Sequence, residues 1–210
     1  KGKPVDREIA FDALLRDLGE MARLISDLLE SERLAGRHAA LHREPTDLAA
    51  LAREVVEELS VRHAAAAHIR VVMDCEGLAG NPTEDGTPSH QPPLLALDRS
   101  RVRLLLRNLL DNSLRHSDPA APPPELHCTL DATGGVVLRV RDFGPGVADE
   151  HLGRLAEPFF RPDTARQRAT GGVGLGLYLC RLVAQAHGGW LHIANAKPGL
   201  EVQVALPRVG

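Results

Sequence analysis

Two β-rich runs, Glu125 to Ala132 and Val136 to Arg141, are separated only by Thr133-Gly134-Gly135. A gap this short, with two glycines in it, permits an antiparallel hairpin and no helical crossover. Just upstream, Pro119 to Pro124 forbids continuation of a long helix that opens at Asp98, a natural N-cap, and runs to about Ser117. Downstream, a helix from about Gly174 to His187 gives way to Trp190 to Ala194 and Glu201 to Leu206, a last strand pair around Lys197-Pro198-Gly199. Helices and strands interleave, yet neighbouring strands are hairpin-linked. The expected class is α+β: a two-layer α/β sandwich with a mixed sheet and helices on one face, rather than a doubly wound parallel sheet.

The first half of the chain adds helical layers. From Asp6 to about Ala35, Phe11, Leu14, Leu18, Met21, Ile25 and Leu28 recur in alternating steps of three and four, a coiled-coil-like seam. Leu15, Leu24 and Leu29 widen the stripe beyond a strict seam, which suits a four-helix bundle; the same pattern would also serve a helix folded back on its own domain. Gly36 reads as the C-cap, and a polar stretch through Pro45 as a linker. Thr46 or Asp47 then caps a helix to about Ala66, followed by a strand at Ile69 to Met73. Glu76 to Pro93, rich in Gly, Pro, Asn, Thr and Ser, reads as a loop, and Leu94 to Leu97 as a short strand.

Composition removes several function classes. With 25 Lys and Arg against 28 Asp and Glu, the chain lacks the basic footprint of a phosphate-backbone reader, so no nucleic-acid partner is expected. Three widely spaced cysteines without a C-x-x-C pair argue against a disulfide framework or a zinc site and fit a reducing compartment. No apolar run approaches the roughly 18 residues of a membrane span, so a cytoplasmic location is expected for this segment. Aromatics are only 3% of the chain, which leaves the core to Leu, Val, Ala and Ile. Yet Phe143, Phe159 and Phe160 crowd into one glycine- and proline-bearing stretch.

Three constellations carry chemistry. Asn108, Asn112 and Arg115, at i, i+4 and i+7, form a polar stripe beside an apolar helix face. Carboxamide oxygens one turn apart suit a hydrated magnesium ion, and an arginine suits phosphate, although a solvated helix border would look the same. Asp142-Phe143-Gly144-Pro145-Gly146 ends a strand in a tight turn, where a carboxylate can accept a hydrogen bond from an exocyclic amine, or where the sequence simply turns. Thr170-Gly171-Gly172-Val173-Gly174-Leu175-Gly176 runs into a helix, so its backbone N–H groups can meet an anion. It is neither a P-loop, which needs Gly-Lys-Ser/Thr, nor a dinucleotide fingerprint, since no strand precedes it.

In this order, Asn108…Asn112, Asp142-x-Gly144-x-Gly146, Phe159-Phe160 and Gly172-x-Gly174-x-Gly176, the chain resembles the catalytic and ATP-binding domain of bacterial sensor histidine kinases, with their N, G1, F and G2 boxes. The resemblance implies the GHKL/Bergerat-type ATPase fold over residues 46–210, and in residues 1–45 the second helix of the dimerisation and histidine-phosphotransfer hairpin with its linker. It implies ATP and Mg²⁺ as cofactors, with Asn112 on the metal and Asn108 supporting it. Arg115 and His116 would lie near phosphates and ribose. Asp142 would read the adenine amine above Gly144 and Gly146. Phe159 and Phe160 would open a lid in which Arg161, Arg166 or Arg168 meets phosphate, and Thr170, Gly172, Val173, Gly174, Leu175 and Gly176 would form its hinge and phosphate cradle. Asn108, Asn112 and Arg115 would be the catalytic set. The implied partners are a second copy, through the N-terminal helix, and a response regulator receiver domain.

The resemblance has one gap. None of the ten histidines stands in a His-Glu/Asp-x-x-Thr/Asn-Pro context, so the phosphorylated histidine is expected on a helix preceding Lys1, and any anchor in the inner membrane in segments outside this chain. Two other readings fit the same residues. One is another ATPase of the same superfamily, although those usually carry Glu where Asn108 stands. The other is a non-catalytic nucleotide-binding or dimerisation module.

Overall fold

The computed structural model describes residues 4–36, 40–74, 94–118, 120–131, 133–162 and 173–208. The expected loop from Glu76 to Pro93, and Arg166, Arg168, Thr170 and Gly172, lie outside the described residues. In chain order the elements are α1 (Pro4–Ala35), β1 (Glu44–Asp47), α2 (Leu48–Ser60), a 3-10 turn at Ala64–His68, β2 (Arg70–Asp74), β3 (Leu94–Leu97), α3 (Arg99–His116), β4 (Glu125–Leu130), β5 (Val136–Arg141), α4 (Asp149–Leu152), α5 (Gly176–Ala186), β6 (Trp190–Asn195) and β7 (Leu200–Leu206).

The sheet has five strands in the order β2-β4-β5-β7-β6, with β1 and β3 forming a separate antiparallel pair. β2 runs parallel to β4, while β4–β5, β5–β7 and β6–β7 are antiparallel. The hairpin closes as its sequence demands: Gly134 is in the left-handed region, and the Asp131 amide donates to the Gly135 carbonyl at 2.9 Å. Alternation decides which face is covered. Leu126, Cys128, Leu130, Val136, Leu138, Val140, Val202 and Val204 are buried against the helices, whereas the other face pairs Glu125 with Arg141 and His127 with Arg139. The mixed sheet with helices on one face is therefore as expected.

α3 is the central helix. Leu105, Leu106, Leu109 and Leu110 are buried, and it packs on both α2 and α5. Arg99 and Arg103 reach Glu54 and Glu58 of α2 at 2.7 to 3.2 Å, half-exposed pairs worth about 0.2–1 kcal/mol each, so leucine burial rather than charge holds this layer.

Several boundaries differ from expectation for physical reasons. The stretch read as linker through Pro45 ends in β1, because β3 needs an antiparallel partner and Pro45 is tolerated in a two-stranded edge pair. β1 thus straddles the 45/46 boundary. α2 stops at Ser60 rather than Ala66, since its buried stripe ends at Leu59 and Val61 is exposed. α5 starts at Gly176, not Gly174, because Gly174 has φ of 80°. The stretch after Val147 contains the short α4.

The apolar seam of α1 does not fold back on the domain. Phe11, Leu14, Leu18, Met21, Ile25, Leu28 and Leu29 are all exposed. A different face docks, through buried Asp27, Ser31 and Leu34, with Asp27 3.4 Å from Arg107 and Glu30 3.5 Å from Arg101 on α3.

Where the chain enters the domain, one imidazole ties three elements together. His187, buried at the end of α5, donates from Nδ1 to the Val183 carbonyl at 2.8 Å, because a carbonyl can only accept. Its Nε2 must then be the unprotonated acceptor for the Asp98 amide at 3.3 Å. Asp98 in turn caps α3 through the Arg101 amide and accepts from the His42 amide, both at 3.1 Å. Arg43 donates to the His187 carbonyl at 3.3 Å. Burial pushes the His187 pKa below the ordinary imidazole value, with Arg43 and Arg101 adding to the fall and Val183 and Asp98 opposing it.

A base with a depressed folded-state pKa contributes stability that is complete above the unfolded value, about 6.5, and is lost as pH falls through the folded one. We expect the urea midpoint to drop between pH 7.5 and pH 5.5, and the drop to shrink in His187→Gln; a midpoint flat across that window in the wild type would refute this role.

Candidate functional site

The site is assembled at the C-terminal end of α3, where the three motif-bearing segments converge. β5 delivers Asp142 just past its last residue, and the carboxylate is buried. Its Oδ1 accepts from the Gly144 amide at 2.9 Å and the Leu200 amide at 3.1 Å. Among the described residues Oδ2 has no hydrogen-bond partner, so it is free to accept a hydrogen bond. Burial raises the Asp142 pKa, while the amides of Gly144 and Leu200, then His116 and Arg141, pull it back.

Close packing explains the glycines. A Cβ on Gly144 would collide with the His116 carbonyl, so only glycine lets the Asp142–Gly146 turn sit on the end of α3. A Cβ on Gly176 would lie 3.3 Å from the Asn108 Oδ1, which brings the start of α5 against the asparagine stripe. Gly174, at φ 80°, would press a Cβ to 2.8 Å from the Phe160 carbonyl, and its own carbonyl accepts from the Phe159 amide at 3.0 Å. Motifs far apart in sequence are thereby joined in pairs.

On α3, Asn108 donates from Nδ2 to the Leu104 carbonyl at 3.0 Å, and its Oδ1 accepts no hydrogen bond among the described residues. Asn112 is half-buried, and among the described residues its carboxamide has no hydrogen-bond partner. Two hard-oxygen donors of this kind fit a hydrated magnesium ion, which needs few protein ligands. Arg115 pairs with Asp111 at 2.9 Å, and Asp111 also meets His63 at 3.1 Å. His116 is held below the usual imidazole pKa chiefly by burial, helped by Arg115 and Arg161 and opposed by Asp142 and Asp111.

Of the lid arginines proposed from sequence, Arg161 is the one within the described residues; its charge acts on His116 and its stem lies against Gly174. Phe160 is half-buried, with Arg154 over its ring at 4.1 Å and His151 at 5.8 Å. Phe159, by contrast, is 59% exposed and held at φ 63°, a conformation that costs a bulky residue about 1–3 kcal/mol. Phe143 takes the Arg141 guanidinium on its face at 4.8 Å. Val173 is exposed and Leu175 buried, and α5 opens without a side-chain cap, so its first N–H groups remain available to an anion.

Sequence reasoning missed the far wall of the Asp142–Gly146 turn. Gly199, at φ 90°, abuts the Asp142 backbone, and Asn195 bonds to Val147 just beyond Gly146. Lys197-Pro198-Gly199 signalled a hairpin, but nothing in it indicated that the hairpin would reach Asp142.

This geometry can be set beside known proteins. Residues 97–210 match the family described as histidine kinase-, DNA gyrase B-, and HSP90-like ATPase. The signal transduction histidine-protein kinase BaeS of Escherichia coli K12 is 40% identical over 111 residues, 52% of this chain and 23% of that protein. The sensor protein SrrB of Staphylococcus aureus N315 is 26% identical over 92% of this chain and 30% of its own length. The chain therefore spans about a quarter to a third of these curated relatives. Among solved structures, full-length ShkA in complex with AMPPNP covers the whole chain and 40% of its own at TM-score 0.72 and 26% identity. The Acinetobacter baumannii histidine kinase AdeS covers the whole chain and 87% of its own at TM-score 0.73 and 20% identity, a likeness of fold. With more than half of its residues in the family match, the chain belongs to the histidine kinase-, DNA gyrase B-, and HSP90-like ATPases, and its relatives there are sensor histidine kinases.

Proposed function

We propose that residues 46–210 form the ATP-binding kinase domain of a sensor histidine kinase, and that residues 1–45 contribute one helix of its dimerisation hairpin with the adjoining linker. The observation that carries this reading is Asp142. Its Oδ1 is occupied by two backbone amides, its Oδ2 is open, and it stands in a glycine turn seated on the end of α3. A buried carboxylate with one free oxygen suits the exocyclic amine of adenine.

The rest of the site then takes its roles from position. Gly144 and Gly146 let the backbone approach the base, and His116, neutral at physiological pH, borders the ribose and phosphates. Asn108 and Asn112 offer carboxamide oxygens to Mg²⁺, which when bound neutralises phosphate charge. Gly174 and Gly176, with Val173 and Leu175, cradle the phosphates at the start of α5, and the resemblance assigns Thr170 and Gly172 to the same cradle. Arg115, released from Asp111 or sharing it, and one lid arginine, Arg161, Arg166 or Arg168, meet the γ-phosphate side. Such transfer depends on in-line positioning and charge stabilisation more than on covalent chemistry.

The acceptor is a histidine nitrogen, which forms a bond to the γ-phosphorus as the bond to ADP breaks; relay to a response regulator aspartate follows. Asn108 supports this reading over plain hydrolysis, because a carboxamide has no basic lone pair with which to activate water. Dimerisation uses the exposed seam of α1. We expect Ile25→Asp to weaken self-association in sedimentation while leaving ATP binding unchanged.

Calorimetry with ATP and Mg²⁺ tests the core of the proposal. Asp142→Asn keeps an acceptor for the Gly144 and Leu200 amides but turns a donor toward the amine, and we expect affinity to fall about ten- to a hundredfold, the worth of a hydrogen bond to a charged group. Unchanged binding by this variant, or no binding by the wild type, would count against the kinase reading. For Asn112→Ala the expected outcome is loss of the affinity gained on adding Mg²⁺, with binding in EDTA unaltered.

A further inference from the structure

The segment leaving the base turn is held by a side chain that no motif includes. Asn195, the last residue of β6, accepts from the Val147 amide through Oδ1 at 3.1 Å and donates from Nδ2 to the Val147 carbonyl at 2.8 Å. The same Nδ2 donates to Asp149 Oδ1 at 2.8 Å, at the first residue of α4. A carboxamide bonded to both backbone groups of one residue acts as a neighbouring strand would, because Asn and Gln carry the donor and acceptor of a peptide group on one planar amide head.

The contact extends into the turn itself. Gly146, at φ 69°, would bring a Cβ to 2.7 Å from Asn195 Oδ1 and 3.3 Å from the Gly199 carbonyl, so the glycine admits the clip. Asn195 also pairs in register with Leu200, whose amide holds Asp142. One end of the turn, Asp142, is therefore bonded to β7, and the other, Val147, to the adjacent residue of β6. The base turn hangs between two strand ends that share a single register.

We infer that Asn195 is a positioning residue for nucleotide recognition: it fixes the exit of the Asp142–Gly146 turn, and thereby the pose in which the Asp142 Oδ2 meets the adenine amine. The inference rests on the ATP-binding reading above. A residue that only stabilised the fold would leave base selectivity untouched, whereas a residue that sets the pose of Asp142 changes it.

The test compares ATP with ITP, which carries a carbonyl in place of the exocyclic amine, by calorimetry on the wild type, Asn195→Ala and Asp149→Ala, with thermal unfolding of each. Asn195→Ala is expected to lower ATP affinity about tenfold, the equivalent of one to two ordinary hydrogen bonds, with ITP affinity little changed, so that the ATP-to-ITP ratio collapses. Asp149→Ala, an exposed residue that removes one of the three bonds, is expected to show the same change in smaller measure. Retained selectivity in a folded Asn195→Ala overturns the inference while leaving the kinase reading intact. If Asn195→Ala does not fold, selectivity unaltered in Asp149→Ala overturns it equally. A wild type that does not prefer ATP to ITP defeats the kinase reading first, and the inference with it.

Discussion

A carboxylate removed from water is costly unless its oxygens are met, and the site is organised around meeting those of Asp142. Two amides from different elements converge on one oxygen, Gly144 from the turn itself and Leu200 from the neighbouring strand. To bring them there the turn must drop onto the end of α3, which only a residue without a side chain allows, and the β6–β7 hairpin must come close enough for Gly199 to touch the Asp142 backbone. The second oxygen has no hydrogen-bond partner among the described residues. The fold thus meets one carboxylate oxygen and leaves the other open, which also accounts for a pKa raised by burial yet pulled back by those same amides.

Much of this was legible in the sequence because it is local. The Thr133-Gly134-Gly135 hairpin, the Asp47 and Asp98 caps and the leucine face of α3 each depend on residues within a few positions of one another, where turn chemistry and periodicity are decisive. The motif residues could be located but not connected. That Gly144 rests on His116, Gly176 on Asn108 and Gly174 on Phe160 follows from tertiary packing, for which a glycine in sequence gives no address. β1 was hidden by its proline and its brevity, and α4 by having four residues and no side-chain cap. Asn195 carried no signal at all, since a lone asparagine at a strand end is ordinary until its partners are known.

The two faces of α1 separate two kinds of contact that periodicity alone merges. Heptad-like spacing marks a stripe that is exposed in the structure, and the helix meets its own domain through Asp27, Glu30, Ser31 and Leu34, packing on α5 and pairing with arginines of α3. Leu34 on that face joins the hydrophobic core, so the docking combines ion pairs with apolar packing. The apolar seam stays exposed.

α3 links these observations. At about 1.5 Å per residue, its 18 residues make a strut some 27 Å long. Its first turn is gripped by Asp98, His42 and His187, and its last carries the carbonyl on which Gly144 sits. Its core-facing leucines are packed against neighbouring helices along its length. The point where the chain enters the domain and the Asp142–Gly146 turn are therefore the two ends of a single packed element.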